Sequence, residues 1–220
     1  MTPGRRTRPA LHPDRTHAVA PARNWGPFEP LRERTFGRIW SASLLSNFGQ
    51  LILGVAAAWE MTRLTTSAEM VALVQSAMML PLMLVSVPGG AIADMFDRRK
   101  IAMAGLGFAT LCAAVLTALS WFGFTSPWLL LAFCSLIGTG VALYGPSWQA
   151  SIGEQVTPEQ LPAAIALGSI SYNIARSFGP ALGGMIVLAA GATAAFAINA
   201  LFYLPLIAAF FLWRREQVPG

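Results

Sequence analysis

Charge is what this 220-residue chain has least of. Asp, Glu, Lys and Arg together make up 11% of it, against about 25% in a soluble domain. From Ile101 to Gly153 there is no charged residue at all. Hydrophobic residues account for 55%, and the mean hydropathy is +0.56. A chain this short has too little interior to hide that much apolar surface from water, so lipid is the solvent for most of it.

Histidine and cysteine are nearly absent as well. His12 and His17 lie near the start, far from any other ligand type, and Cys112 and Cys134 both fall inside apolar runs. That pattern supports neither a disulfide framework nor a metal site, and the thiols read as small packing residues. No cofactor is expected. An intramembrane serine protease would need a membrane-embedded His beside a Ser, which the positions of both histidines exclude. No glycine-rich loop ending in Lys-Ser or Lys-Thr occurs, which excludes an ATP motor in this chain. The chain is expected not to be an enzyme. Its formal charge of +5 does not mark a nucleic-acid face, because eight of the fifteen basic residues precede Ile39 and most others flank apolar runs. That is the positive-inside pattern of a membrane protein.

Residues 1–30 hold Arg5, Arg6, Arg8, Arg15 and Arg23 among six prolines. With no apolar periodicity they are expected to form a disordered basic cytoplasmic tail near anionic lipid, not a signal peptide. The six-helix transmembrane bundle is expected over 31–213 and a cytoplasmic end over 214–220. Helix one is read as Ile39–Trp59, helix two as Met70–Ala93, helix three as Ile101–Phe122 and helix four as Trp128–Ser151. Helix five is read as Leu161–Leu188, and helix six runs from after the turn 189–193 to Trp213. Each is near the ~20 residues that cross the hydrocarbon core. Thr157, Pro158 and Gln160 together resemble a helix start. Six spans put both termini in the cytoplasm, with thirteen basic residues on that side, Arg63 outside and Arg176 inside a span.

Polar groups inside spans are the candidates for function. Ser169, Tyr172, Asn173, Arg176 and Pro180 recur at spacings of three and four on helix five, so they share a face. Arg176 lies near mid-membrane, where snorkelling is difficult. It either pairs structurally with a neighbouring helix or faces a cavity and binds an anionic group. Asn47 and Gln50 on helix one and Gln75 on helix two either make interhelical hydrogen bonds or line a substrate path. No Asp or Glu lies near mid-membrane; Glu60, Glu69 and Asp94 sit at boundaries.

The densest charge cluster, Gly89 to Lys100, separates helices two and three. Gly90, Asp94, Arg98 and Arg99 resemble the signature loop of the major facilitator superfamily at this place, with Met95 where a basic residue is usual and Asp97 where glycine is usual. The Asp-Arg-Arg ending resembles the branch with enterobactin exporters and macrolide efflux proteins. Gly179, Pro180, Gly183 and Gly184 on helix five resemble the antiporter motif of exporters, with Ala166 and Ala175 upstream where glycine is usual. The runs Leu80-Pro81-Leu82 and Ala195 to Leu201 are also similar to this branch. Cys134, four positions before Gly138, stands where the superfamily carries a basic residue on helix four.

The resemblance implies an all-α membrane protein: half of a major facilitator fold, six transmembrane helices, in a bacterial inner (plasma) membrane. It implies secondary active transport by alternating access, with proton-coupled export of a small organic molecule. Gly90, Asp94, Arg98 and Arg99 would be a cytoplasmic gate, the alternative being a solvated positive-inside turn. The implied partners are the lipid bilayer, a small-molecule substrate, and a second six-helix half or a homodimer, with no nucleic acid. The rival expectation is a truncated or non-transporting fragment that assembles with, or regulates, a partner.

Overall fold

The computed structural model describes residues 26–213 except Phe96, and of residues 86–95 the backbone alone. Residues 1–25 of the expected tail and the expected end 214–220 therefore lie outside the described residues. The rest is helical. A 3-10 turn, Glu29–Arg32, leads into α1 (Arg34–Leu64), followed by α2 (Ala68–Met95), α3 (Arg98–Trp121), α4 (Pro127–Ile152) and α5 (Leu161–Leu212). Glu29 and Pro30, placed with the tail by sequence, belong with the bundle: Pro30 is buried and sits at the start of the 3-10 turn. All five α-helices are long and apolar enough to cross a membrane.

Local chemistry sets the helix ends. Ser126 caps α4 by accepting from the Leu129 N–H at 3.4 Å, with Pro127 as first helical residue. A proline there gives up an N–H that has no helical partner anyway. The Thr157–Gln160 segment is a separate turn, not the start of α5: Gln160 N–H donates to the Thr157 carbonyl at 3.0 Å and the helix begins at Leu161. The Gln160 side chain still reaches back to the Thr157 N–H at 3.4 Å. In the same loop, hydrogen bonds from its own backbone N–H and from the Thr157 hydroxyl hold the Glu159 carboxyl below its usual range.

At 52 residues, α5 would run about 78 Å if straight, far beyond a ~30 Å hydrocarbon core. It is bent double at Gly191, whose φ of 82° and ψ of 170° lie in a region only glycine enters readily. The reversal shows in the packing on α1. Gly179 closes on Phe48 and Leu51, while Gly49, in the same turn of α1, closes on Asn199 and Phe202. Hence α5 has a first limb parallel to α1 and a second limb antiparallel to α3. Ser120 and Thr193 share a hydrogen bond of 2.6 Å at the turn end of the bundle, and Arg99 meets Phe211 at the opposite end.

Because these helices are apolar all round, small residues mark the contacts. On α3 the buried line is Ala102, Gly105, Leu106, Ala109, Cys112, Ala113 and Leu116. A Cβ on Gly105 would stand 2.5 Å from the Gly140 carbonyl of α4, and one on Gly140 would stand 2.5 Å from that of Gly105. Backbones meet there because neither residue has a side chain. Large rings close the end where Arg99 meets Phe211: Phe36 stacks on Trp148 at 6.0 Å, and Phe210 meets Trp148, Tyr144 and Trp213 edge-on. Among the described helices α2 is the least enclosed.

Candidate functional site

The charged loop between α2 and α3 fastens two other helices. Asp97 is the N-cap of α3 and accepts from the Arg99 N–H at 3.0 Å. Its φ of −64° is open to any residue, so the usual glycine of the resembling pattern is not required here. Arg98 donates from Nη1 to the Ala150 carbonyl at 2.8 Å and to Glu154 Oε1 at 3.2 Å. Arg99 donates to the Phe211 carbonyl, with its guanidinium 5.7 Å from the Phe211 ring. The two cations thus sit on the carbonyl-rich ends of α4 and α5, where the helix dipole favours positive charge. Gly90 and Asp94 belong to the residues described only as helical backbone, and Asp94's side chain lies outside the described set.

The four antiporter-like residues divide between two faces. Gly179 and Gly183 are buried against α1; a Cβ on Gly179 would lie 2.6 Å from Leu51 Cβ, and one on Gly183 3.1 Å from Val55 Cβ. Pro180 is exposed, and a Cβ on Gly184 would meet open space. Two of the four therefore seat α5 on α1, and two look away.

The candidate polar residues also separate. Asn47 donates to Ser171 Oγ at 3.3 Å, bridging α1 and the first limb. Ser169, Tyr172, Asn173 and Arg176 lie on the exposed face of that limb, and Asn173 donates to the Ser169 carbonyl at 2.9 Å. Gln50 instead lines a small cleft of about 40 Å³ among α1, α2 and α4, with Leu53, Met78, Met79, Leu82, Ile137, Gly138 and Val141. Gln75 is exposed on α2, on the same face as Met79 and Leu82 and one turn beyond the cleft. The cleft is apolar apart from Gln50 and narrows where Gly138 admits α2: a Cβ there would lie 2.7 Å from the Met78 carbonyl. Among the described residues no group of His, Cys, Asp or Glu is placed to hold a metal.

Two polar residues escaped the sequence reading as a pair. Asn199 and Tyr203, on the second limb, are wholly buried. Their spacing of four within an apolar run is the signal that could have singled them out.

Residues 25–220 match the family described as transmembrane secretion effector. The chain is 30% identical over 136 residues to the uncharacterized MFS-type transporter YfiS of Bacillus subtilis, 61% of this chain and 31% of that protein. It is 27% identical over 165 residues to the staphyloferrin A transporter of Staphylococcus aureus, 74% of this chain and 42% of that protein. It is 25% identical over 156 residues to the multidrug efflux pump Tap of Mycobacterium tuberculosis, 68% of this chain and 37% of that protein. In each case the matched segment spans less than half of the relative's length.

Proposed function

Because the chain belongs to the major facilitator superfamily, with residues 25–220 matching the transmembrane secretion effector family, we propose that it is half of a secondary transporter exporting a small organic molecule. In this reading α5 crosses the membrane twice, giving six spans with the Arg98 end in the cytoplasm. Thirteen of fifteen basic residues then lie on that side. Residues 1–28 form the basic tail and 214–220 the cytoplasmic end. The membrane is a bacterial inner membrane, in keeping with the bacterial source of the relatives, and the cargo is a siderophore or a drug, a reading supported by the likeness to a staphyloferrin A transporter and a multidrug efflux pump.

One observation carries the reading. Arg176, Asn173, Ser169 and Tyr172 form an exposed polar face on a span. A cation facing hydrocarbon costs at least about 2.5 kcal/mol, so protein or a wet cavity must cover this face. A second six-helix unit does both: the two rock about a central path, opening it alternately to each side. Arg176 then binds an anionic group of the cargo or a carboxylate of the other unit, with Asn173 and Ser169 beside it and Asn47, Gln50 and Gln75 along the path. Gly90, Asp94, Arg98 and Arg99 gate the cytoplasmic side. With no acid near mid-membrane, proton coupling draws on Glu60, Glu69, Asp94 or the second unit. That unit is either a separate or continuing half, or a second copy of this chain.

The limited share of each relative that the chain matches favours keeping the second reading, a non-transporting fragment that assembles with or regulates a partner. Dye efflux from vesicles bearing the chain alone separates the two. Efflux that is lost in Arg176→Ala at normal protein levels supports a transporting dimer; no efflux alone but efflux with a supplied second half supports the half-transporter. Labelling of Asn173→Cys by a membrane-impermeant maleimide tests the wet face, and a site inert under all conditions would place it in lipid and defeat the reading.

A further inference from the structure

Four aromatic rings stand out from the turn between α3 and α4. Trp121, Phe122, Phe124 and Trp128 are between 69% and 79% exposed, on a turn that holds no charged residue. Together they present roughly 400–700 Å² of ring surface, comparable to the largest apolar patch on a typical soluble protein. The neighbouring turns at this end of the bundle are built differently. The α1–α2 link carries Arg63, Thr65, Thr66, Ser67 and Glu69, and the tip of α5 is made of alanines, Gly191 and Thr193.

The turn holds its rings outward on an ordered backbone. Gly123 closes α3 at a φ of 74°. Its N–H donates to the Ser120 carbonyl at 3.2 Å, and the Phe124 N–H reaches the Leu119 carbonyl at 2.9 Å. That pair of bonds is a Schellman close. Ser126 caps α4 from the other side. The N–H groups of Phe122, Gly123 and Phe124 are thus occupied within the protein, which lets this backbone approach an apolar medium. Phe108, Leu111, Val115 and Phe122 lie along one exposed stripe of α3, so the rings continue the lipid-facing surface of the span.

Depth agrees. With 24 residues, α3 is about 36 Å long, more than a ~30 Å hydrocarbon core and less than the ~40–45 Å of a whole bilayer. With Arg98 at the headgroups of one leaflet, Trp121 reaches the interface of the other, the level that indole rings favour. A face for a soluble protein would carry a polar rim, and no charged residue occurs from Ile101 to Gly153.

We propose that the turn from Trp121 to Trp128 is a phospholipid-docking surface, seating the bundle at the glycerol-ester level of the leaflet away from Arg98. The two indole N–H groups donate to ester carbonyls, and the rings of Phe122 and Phe124 lie among the first acyl carbons. With no charge on the turn, docking is indifferent to headgroup charge. The surface rests on the helices spanning the bilayer and not on transport.

Tryptophan fluorescence of the full chain in nanodiscs tests it, read as the signal lost in the double variant Trp121→Phe/Trp128→Phe. Phosphatidylcholine brominated on the acyl carbons nearest the ester is expected to quench that signal at least about twofold more than lipid brominated near the chain ends. Adding phosphatidylglycerol or high salt is expected to leave the quenching unchanged. Quenching that requires the anionic lipid overturns the neutral docking. Quenching by iodide with none from either brominated lipid places the turn in water and overturns the proposal. Rings shielded from iodide in native membranes but open to it in pure-lipid nanodiscs would name a protein partner instead. An independent depth comes from a nitroxide on Phe124→Cys, an exposed position: relaxation by oxygen is expected to exceed that by a water-soluble nickel chelate, and the reverse order overturns the proposal.

Discussion

Alanine at position 179 sets a methyl carbon 2.6 Å from Leu51 Cβ and 3.2 Å from Leu51 Cγ. Carbon atoms rest at about 3.5–4.0 Å, so the first limb of α5 and α1 must part by roughly 1 Å. Leu51 cannot swing clear, because its Cβ is fixed to the backbone whatever its rotamer. Parting the pair also loosens the next crossing, where Gly183 approaches Ile52 and Val55. Overpacking of this kind costs about 1–3 kcal/mol, a factor of roughly 5 to 150 in the folded population. The control lies five residues on: at Gly184 an added Cβ meets nothing within 4 Å, and its replacement is expected to stay within about 0.5 kcal/mol. Unfolding of Gly179→Ala and Gly184→Ala in mixed micelles compares them. The geometry also predicts the rescue. Leu51→Gly removes the clashing Cβ and restores part of the loss in the double variant, whereas Leu51→Ala keeps that atom and restores little. Equal stability of the two glycine variants would refute the seam.

Gly191→Ala is expected to cost about 1–3 kcal/mol through backbone strain alone, since its φ is 82° and no atom lies within 4 Å of an added Cβ; a D-alanine at this position, introduced by semisynthesis, should restore the midpoint. Asp97→Ala removes the α3 cap and is expected to cost about 1 kcal/mol, with Asp97→Asn nearly neutral; equal losses in both would point to charge and not to the cap. Arg99→Ala is expected to speed amide exchange over Phe210–Trp213, because the Phe211 carbonyl and ring lose their cation, while Arg98→Ala should act on the end of α4 near Ala150. Exchange rising equally at both ends in either variant would refute separate fastening.

Span positions were legible because charge is costly in lipid and so collects at span ends. Arg38 and Glu60 bracket helix one, and the observed α1 runs only a turn or so further at each end, since Glu60, Met61, Arg63 and Leu64 are good helix formers and Phe36 is buried against Trp148. The turn 189–193 was legible as a break, but the reversal takes Gly191 alone. Register between helices was not legible. Gly105 and Gly140 look like many glycines in apolar runs, and nothing in either names the other as partner. The polar face of Arg176 was visible from spacing, yet spacing cannot say that Gln50 belongs to a different surface, lined by Met78 and Gly138. Asn199 was met only inside a familiar run, because burial of a polar side chain depends on what a neighbouring helix, here α1 at Gly49, brings to it.

The hairpin of α5 has a consequence for how the protein is made. From Leu161 to Trp213 the only charged residue is Arg176, so the growing chain offers the insertion machinery one apolar stretch with no ionic marker between its halves. Charge cannot instruct the chain to turn back there. Reversal rests on one glycine, and on the glycines and alanines of both limbs finding α1. The two limbs are therefore best delivered to the bilayer together, as a closed pair carrying an uncharged tip that crosses at little cost. Ser120 and Thr193 then latch that tip to α3, so the reversal is completed by a partner synthesised about seventy residues earlier.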